Sequence, residues 1–397
     1  MAMSDRQLWC FTVVVVVALS ISQSFDNMLV AGSPQAPAMF VLGDSLVDDG
    51  NNNFLNSIAK SNYYPYGCDF SGGPTGGWLG LPSPPPFEDP ATNGARILGG
   101  VNYASAAAGI LDNTGLHYGD RFSLSQQVVN FETTLSQLRR MMSPGNLTQY
   151  LSKSIVVMVF GSNDYINNYL MPSIYDSSIN YTPPQFANLL LNHYAQQIVA
   201  LYSVGLRKFL LAGVGPLGCI PNQLATGQAP PGRCVDRVNQ MLGRFNEGLK
   251  SLVNMLNDGS HPGAMFVYGN TYGIFGDILN NAARYGETIL FNVHFLIDSA
   301  IYVSGTPCGF NVTQLWSCLV WYAGFSTVDR GCCGIGRNQG QITCLPYATP
   351  CINRSQYVFW DAFHPTQAAN AILAQRAYMG PTSDCHPMNV QQLALIS

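Results

Sequence analysis

Residues 155–164, "IVVMVFGSND", decide the architecture of this chain. Six apolar residues run without a break and then end on a glycine, a serine, an asparagine and an aspartate. A strand with one wet face alternates polar and apolar residues. An unbroken apolar run reads instead as a strand covered on both faces, as in parallel sheets. Residues 38–42, 101–104, 208–214 and 264–268 read as further strands of the same kind.

Helical patterns lie between these runs. Leu124, Val128, Phe131, Leu135, Leu138 and Met142 recur at helical spacing behind Ser123-x-x-Gln126, a capping box. A second helix opens on Thr182-Pro183-Pro184-Gln185, carries Phe186, Leu190, Tyr194, Ile198 and Leu201, and stops at Gly205. A third carries Val238, Leu242, Phe245, Leu249, Leu252 and Leu256, with Gly259 at its end, and a last one spans roughly residues 366–379. Strands alternating with helices imply an α/β fold, a doubly wound parallel sheet with helices on both faces. No internal repeat or linker divides residues 25–397, which read as a single domain. Residues 50–100 are the exception. They are rich in Gly, Pro and Asn and offer only a short helix near residues 52–61, where a parallel crossover calls for a longer one.

Of 397 residues, 47% are apolar and only 10% charged, with a net charge of −4. That composition fills a large core and has no basic block, which excludes the electrostatic footprint of a nucleic-acid binder. Residues 1–24 read as a signal peptide: Arg6, then an apolar stretch over residues 8–21 that includes Val13 to Val17, then a polar Ser22-Gln23-Ser24. The apolar stretch is short for a membrane span, so a stable membrane anchor is not expected. Secretion suits the cysteines. Ten of the 11 remain after Cys10 is removed with the signal. A bond between Cys219 and Cys234 closes a loop of about 15 residues and adds roughly 3 kcal/mol. Cys332, Cys333, Cys344 and Cys351 cluster, with the two neighbours expected to bond outward. No CxxC spacing supports a zinc site in their place. Asn146, Asn180, Asn311 and Asn353 head N-glycosylation sequons.

In open parallel sheets, ligands sit beyond the carboxyl ends of the strands. Three strands end on polar turns: Gly43-Asp44-Ser45, Ser105-Ala106-Ala107-Ala108-Gly109 and Gly161-Ser162-Asn163-Asp164. Together they offer a hydroxyl, backbone N–H groups and a side-chain amide, the parts needed to attack an acyl carbon and hold its oxyanion. A serine also needs a base. Of six histidines, His364 in "FWDAFHPT" has a carboxylate, Asp361, within one turn. Pro365 then starts the last helix, whose positive end is expected to lower the imidazole pKa. Taken alone, "GDS" also fits a plain turn, and a lone DxxH is equally unspecific. The conjunction of all these features is what favours a nucleophile.

"FVLGDSLVDDGNNN", "GGVNYASAAAGI", "VFGSNDYINNY" and "DAFHPT" resemble the four motif blocks of plant GDSL esterase/lipases, within the SGNH hydrolase superfamily. The resemblance runs from about Ala38 to the C-terminus and includes "GVGPLGCIP" and "GCCGIGRNQGQITCLP". It implies a three-layer α/β/α, flavodoxin-like fold with a central parallel sheet, and a secreted esterase or lipase acting on lipid or other carboxylic esters. Ser45 is then the nucleophile, His364 the base, and Asp361 its orienting partner. The oxyanion donors are the Ser45 N–H, the Asn163 amide and Ala106, with Gly109 the alternative to Ala106. The implied partner is a small ester or lipid, and no metal or organic cofactor is implied. The rival readings are a carbohydrate O-acetylesterase acting on wall polymers and a non-catalytic secreted binding protein. Three departures stand out: Ala106 and Ala107 in place of glycines, a shortened crossover near residues 76–81, and an apparent insertion near residues 305–322 that carries Cys308 and Cys318.

Overall fold

The computed structural model describes residues 34–68, 79–230, 232, 234–285 and 324–396. Residues 1–24, read as a signal peptide, residues 76–78 of the stretch read as a shortened crossover, and residues 305–322 with Cys308, Asn311 and Cys318 lie outside the described residues.

Four parallel strands form the centre: β1 (Met39–Gly43), β2 (Ile155–Val159), β3 (Lys208–Ala212) and β4 (Met265–Gly269). They lie side by side in chain order, and their ends are level, with Gly43, Val159, Ala212 and Gly269 in one row. The turns after β1 and β2 therefore leave the same edge of the sheet. The segment around Asn102 lies on the other side of β1 and bridges Val41 in parallel. The neighbours of β1 thus diverge in opposite directions along the chain, which makes its carboxyl end a topological switch point.

The strand expected at residues 101–104 shrinks to this bridge. On one side the Val41 N–H donates to the Val101 carbonyl and the Val41 carbonyl accepts from the Tyr103 N–H, but on the other the partner is the proline run Pro84-Pro85-Pro86, which has no N–H groups to build a ladder. Gly100 turns the chain into the bridge at φ 109°, and a Cβ there would lie 1.9 Å from the Met39 carbonyl oxygen. The short helix expected at residues 52–61 is a single 3-10 turn, Asn51–Asn53.

Strand alternation sorts the core into two layers. Phe40, Leu42, Val156, Met158, Phe209, Leu211 and Phe266 meet three long helices: α1 (Leu124–Met141), α3 (Pro183–Ser203) and α4 (Asp236–Leu256). Helix α2 (Pro144–Lys153) leads into β2, and α5 (Thr271–Asn280) follows β4. On the other face Met39, Val41, Ile155, Leu210 and Val267 meet Leu79, Leu81, and residues of α6 (Gln367–Met379) and α7 (Val390–Leu395). These are the three layers expected from the continuous apolar strands. Between β4 and α6 a small parallel pair, β5 (Thr327–Gly331) and β6 (Tyr357–Phe359), leads into the "FWDAFHPT" loop, and β7 (Cys385–His386) closes the sheet against β4.

Two helix starts differ in detail. Thr182 and Gln185 form their capping box. Ser123 is the N-cap of α1, but its hydroxyl donates to Asp112 rather than closing a box with Gln126. Bonds Cys219–Cys234, Cys332–Cys351 and Cys333–Cys344 are present, so the neighbouring cysteines do bond outward. Cys385 is a buried thiol pushed up to about 12 by burial and the Asp384 charge.

Phe131 shows how tightly α1 grips the sheet. It is fully buried, with its ring edge-on to Phe40 at 5.1 Å and Tyr103 at 6.0 Å. Phe131→Ala is expected to destabilise the fold by about 3–5 kcal/mol, the range for a large aromatic cavity. Chemical denaturation with an unchanged slope measures it.

Candidate active site

β1 ends in a turn that Asp44 builds. The Asp44 N–H donates to the Val159 carbonyl, its side chain accepts from the Leu46 N–H at 3.0 Å, and its carbonyl accepts from the Val47 N–H. The bonds of the turn run from Leu46 and Val47, not from Ser45. Gln127 of α1 locks the base of the turn, accepting from the Gly43 N–H and donating to the Gly43 carbonyl, each at 2.8 Å. A clamp of this kind holds the corner residue on a rigid strand end.

The "FWDAFHPT" loop folds back on itself at the same edge. The Trp360 N–H donates to the His364 carbonyl, and Phe359 bridges Pro365. Cys332 and Cys333 donate to the carbonyls of Phe359 and Trp360, so the disulfide-braced strand runs alongside the loop. His364 Nε2 lies 2.8 Å from Ser45 Oγ, across 319 residues of sequence. Its Nδ1 lies 2.9 Å and 3.0 Å from the two oxygens of Asp361. Asp361 is fully buried, and its Oδ1 also accepts the N–H groups of Phe363 and His364, each at 2.8 Å.

The electrostatics follow from this packing. Burial alone would raise the Asp361 pKa, but the His364 charge, the hydrogen bonds from His364 and Tyr66, and the Phe363 N–H hold it below the usual carboxylate value. Burial alone would lower His364. The Asp361 carboxylate, its hydrogen bond and the Asp44 charge outweigh burial and raise the imidazole above 6.5. The expected lowering by the last helix is therefore reversed. That helix begins only at Gln367, with Thr366 as its N-cap, so Pro365 does not open it. Asp44 itself is buried, and burial pushes its carboxyl up to about 7, against the Leu46 N–H and the His364 charge.

Asn163 sits in the turn after β2. Its Nδ2 donates one hydrogen to the Ala108 carbonyl at 2.8 Å, and its Oδ1 accepts from Asn167 at 2.6 Å. With the oxygen end fixed by Asn167, the second amide hydrogen is left over. The next residue, Asp164, is fully buried and accepts from Ile110 N–H, Leu111 N–H and the Thr114 hydroxyl at 2.7–3.0 Å. Burial pushes its carboxyl up to about 6 against those bonds. Asp164 thus ties the loop after Ala108 to the turn that carries Asn163.

Ala106 is arranged differently from the expectation. Its N–H already donates to Asp48 Oδ2 and Asn52 Oδ1, each at 3.0 Å. Donation to an oxyanion would require leaving both. Gly109, the alternative, is buried against Thr114 and Asp164. Of the four sequon asparagines, Asn146, Asn180 and Asn353 are exposed.

Sequence reading missed several supports. Asn51 donates to the carbonyls of Asn102 and Ala104 and accepts from the Glu88 N–H, while Asn52 accepts from Ser105 Oγ and donates to the Ala106 carbonyl. The asparagine-rich tail of the first block therefore pins the second block in place. The crowding of short amides in "DDGNNN" is a signal for such staples, since Asn and Asp side chains readily bond to nearby backbone. Tyr66, whose hydroxyl reaches Asp361 Oδ2 at 2.5 Å, has no comparable signal in the chain.

Comparison with known proteins gives the following. The family model described as GDSL-like lipase/acylhydrolase matches residues 39–377. A protein of Arabidopsis thaliana named GDSL esterase/lipase At1g71250 is 59% identical over 397 aligned residues, covering 96% of this chain and 96% of its own. GDSL esterase/lipase At5g08460 of the same plant is 50% identical over 374, covering 90% and 87%. GDSL esterase/lipase 7, also from Arabidopsis thaliana, is 43% identical over 404, covering 98% of each chain.

Proposed function

The chain belongs to the GDSL-like lipase/acylhydrolase family and is a carboxylic ester hydrolase, and from that premise we propose that Ser45, His364 and Asp361 form its catalytic triad. The observation that carries the reading is the 2.8 Å approach of His364 Nε2 to Ser45 Oγ, with Nδ1 turned to a buried carboxylate. Nδ1–H donates to Asp361, so Nε2 is left unprotonated and accepts the serine proton as Oγ attacks the ester carbonyl. The carbonyl oxygen becomes an oxyanion held by the Ser45 N–H and the second amide hydrogen of Asn163. His364 then protonates the leaving alcohol, and an acyl-enzyme remains on Ser45. Water, activated by the same imidazole, releases the acid. Ala106 serves as the anchor of the Asp48 and Asn52 side chains rather than as a free donor.

The substrate is a lipid or other small carboxylic ester. We read residues 1–24 as a secretion signal and residues 25–397 as one catalytic domain. Three disulfides and the exposed Asn146, Asn180 and Asn353 support an extracellular setting. Hydrolysis of p-nitrophenyl esters by the purified protein, together with fluorophosphonate labelling mapped to a peptide, tests the reading. Label on a serine other than Ser45 would overturn it.

Asn163→Ala is expected to lower kcat by about 100–1000-fold with little change in KM, because the amide acts on charge that develops only in the transition state. Steady-state kinetics on one ester checks this. The acidic limb of kcat/KM is expected above pH 6.5, since the base must be neutral and its pKa is raised. Activity is then lost as pH falls through that value.

A further inference from the structure

The Asp361 carboxylate has a partner outside its own loop. The Tyr66 hydroxyl donates to Oδ2 at 2.5 Å. Oδ1 is served by two backbone N–H groups and the imidazole, whereas among the described residues Oδ2 has, besides Tyr66, only the imidazole, at 3.0 Å. In a fully buried carboxylate, the Tyr66 bond is what satisfies that second oxygen.

We propose that Tyr66 is a positioning residue for the esterase reaction, holding Asp361 so that it orients His364 and tuning how strongly the carboxylate attracts the imidazolium. The proposal rests on the reading of Ser45, His364 and Asp361 as the triad. The hydroxyl is held from several sides. The Tyr66 ring stands edge-on to Trp360 at 6.0 Å and to Tyr63 at 5.3 Å. The Tyr63 hydroxyl donates to the Cys344 carbonyl at 2.9 Å. Cys344 is bonded to Cys333, whose N–H donates to the Trp360 carbonyl beside Asp361. The tyrosine loop and the aspartate loop thus close on one disulfide-braced segment. Burial, with the Asp361 charge, raises the Tyr66 hydroxyl far above the ordinary tyrosine value, so it stays a proton donor.

The sign of the effect is fixed by the chemistry. A hydrogen bond into the carboxylate draws charge away from the imidazole. Its loss leaves Asp361 a stronger partner for imidazolium and raises the His364 pKa. The charged and titratable groups that face this pair are Asp44 at the end of β1, and Tyr63 and Tyr66 from the loop before the crossover.

The experiment is the pH profile of kcat/KM for a p-nitrophenyl ester. Tyr66→Phe keeps the ring and removes the bond. It is expected to lower kcat about ten-fold at nearly unchanged KM and to move the acidic limb up by roughly half a pH unit. Incorporating 3-fluorotyrosine at position 66 keeps the hydroxyl and makes it a stronger donor, so the limb is expected to move down. Tyr63→Phe removes a loop anchor but no bond to Asp361, and its limb is expected to stay in place. An unmoved limb in both Tyr66 proteins, or the same direction of shift in both, overturns the proposal. The triad reading fails separately: it falls if Ser45→Ala retains activity, whatever Tyr66 does.

Discussion

Replacing Ser45 with alanine is expected to lower kcat by on the order of 10⁵–10⁶-fold, while KM stays within a few-fold. In the proposed triad the hydroxyl is the group of the turn that bonds covalently to the substrate, while the Ser45 N–H only holds the oxyanion. The change deletes the proposed nucleophile and leaves the rest of the corner intact. Asp44, Leu46 and Val47 make the turn through groups that do not involve the Ser45 side chain, and Gln127 still clamps Gly43. The protein should therefore fold with an unchanged melting curve, so that lost activity reports chemistry. Knocking out one member of a triad that acts as a unit removes nearly all of the triad's contribution, and the residue of catalysis comes from the oxyanion donors and binding. Fluorophosphonate labelling should vanish in parallel. Retained hydrolysis and labelling in Ser45→Ala would move the nucleophile elsewhere.

Asp361→Asn is the second large effect, expected at about 10⁴-fold in kcat. The amide is nearly isosteric, and the Phe363 and His364 N–H groups still require an oxygen at the Oδ1 position. That requirement places the NH₂ where Oδ2 stood, against His364 Nδ1. The NH₂ competes for Nδ1 with the retained oxygen 2.9 Å away, and donation from it places the proton on Nε2, which then faces Ser45 as a donor and no longer takes its proton. The Tyr66 hydroxyl also loses its acceptor. Steady-state kinetics measures the loss. An NMR spectrum of the imidazole nitrogens measures the tautomer, and the wild-type tautomer persisting in Asp361→Asn would contradict this account.

Local pattern carried much of this site. Ser45 and Asn163 were readable because each follows an unbroken apolar run, and a parallel sheet aligns such ends on one edge. Asp361 and His364 were readable because three residues span one turn. Tyr66 was not readable, since its bond to Asp361 joins positions 295 apart through the docking of two loops. The partners of Ala106 were hidden for a related reason. Its backbone N–H looks available in the chain, and only the folded loop shows Asp48 and Asn52 holding it. The direction of the His364 shift failed for another reason: the Asp361 charge and hydrogen bond, with the Asp44 charge added, outweigh burial, and that balance depends on how deeply the fold buries the pair.

Local sequence pattern was enough for the layered α/β architecture, for the polar turns at the strand ends, and for the outward pairing of Cys332 and Cys333. These depend on periodicity and short spacing, which any chain segment carries locally. Only the folded chain shows that Asp44 joins Asp361 beside the imidazole, which N–H groups are spent on asparagine staples, and that residues 101–104 bridge β1 without forming a full strand. Each of those is settled by burial and by hydrogen bonds between segments far apart in the chain, where a donor has one best acceptor and only packing chooses it.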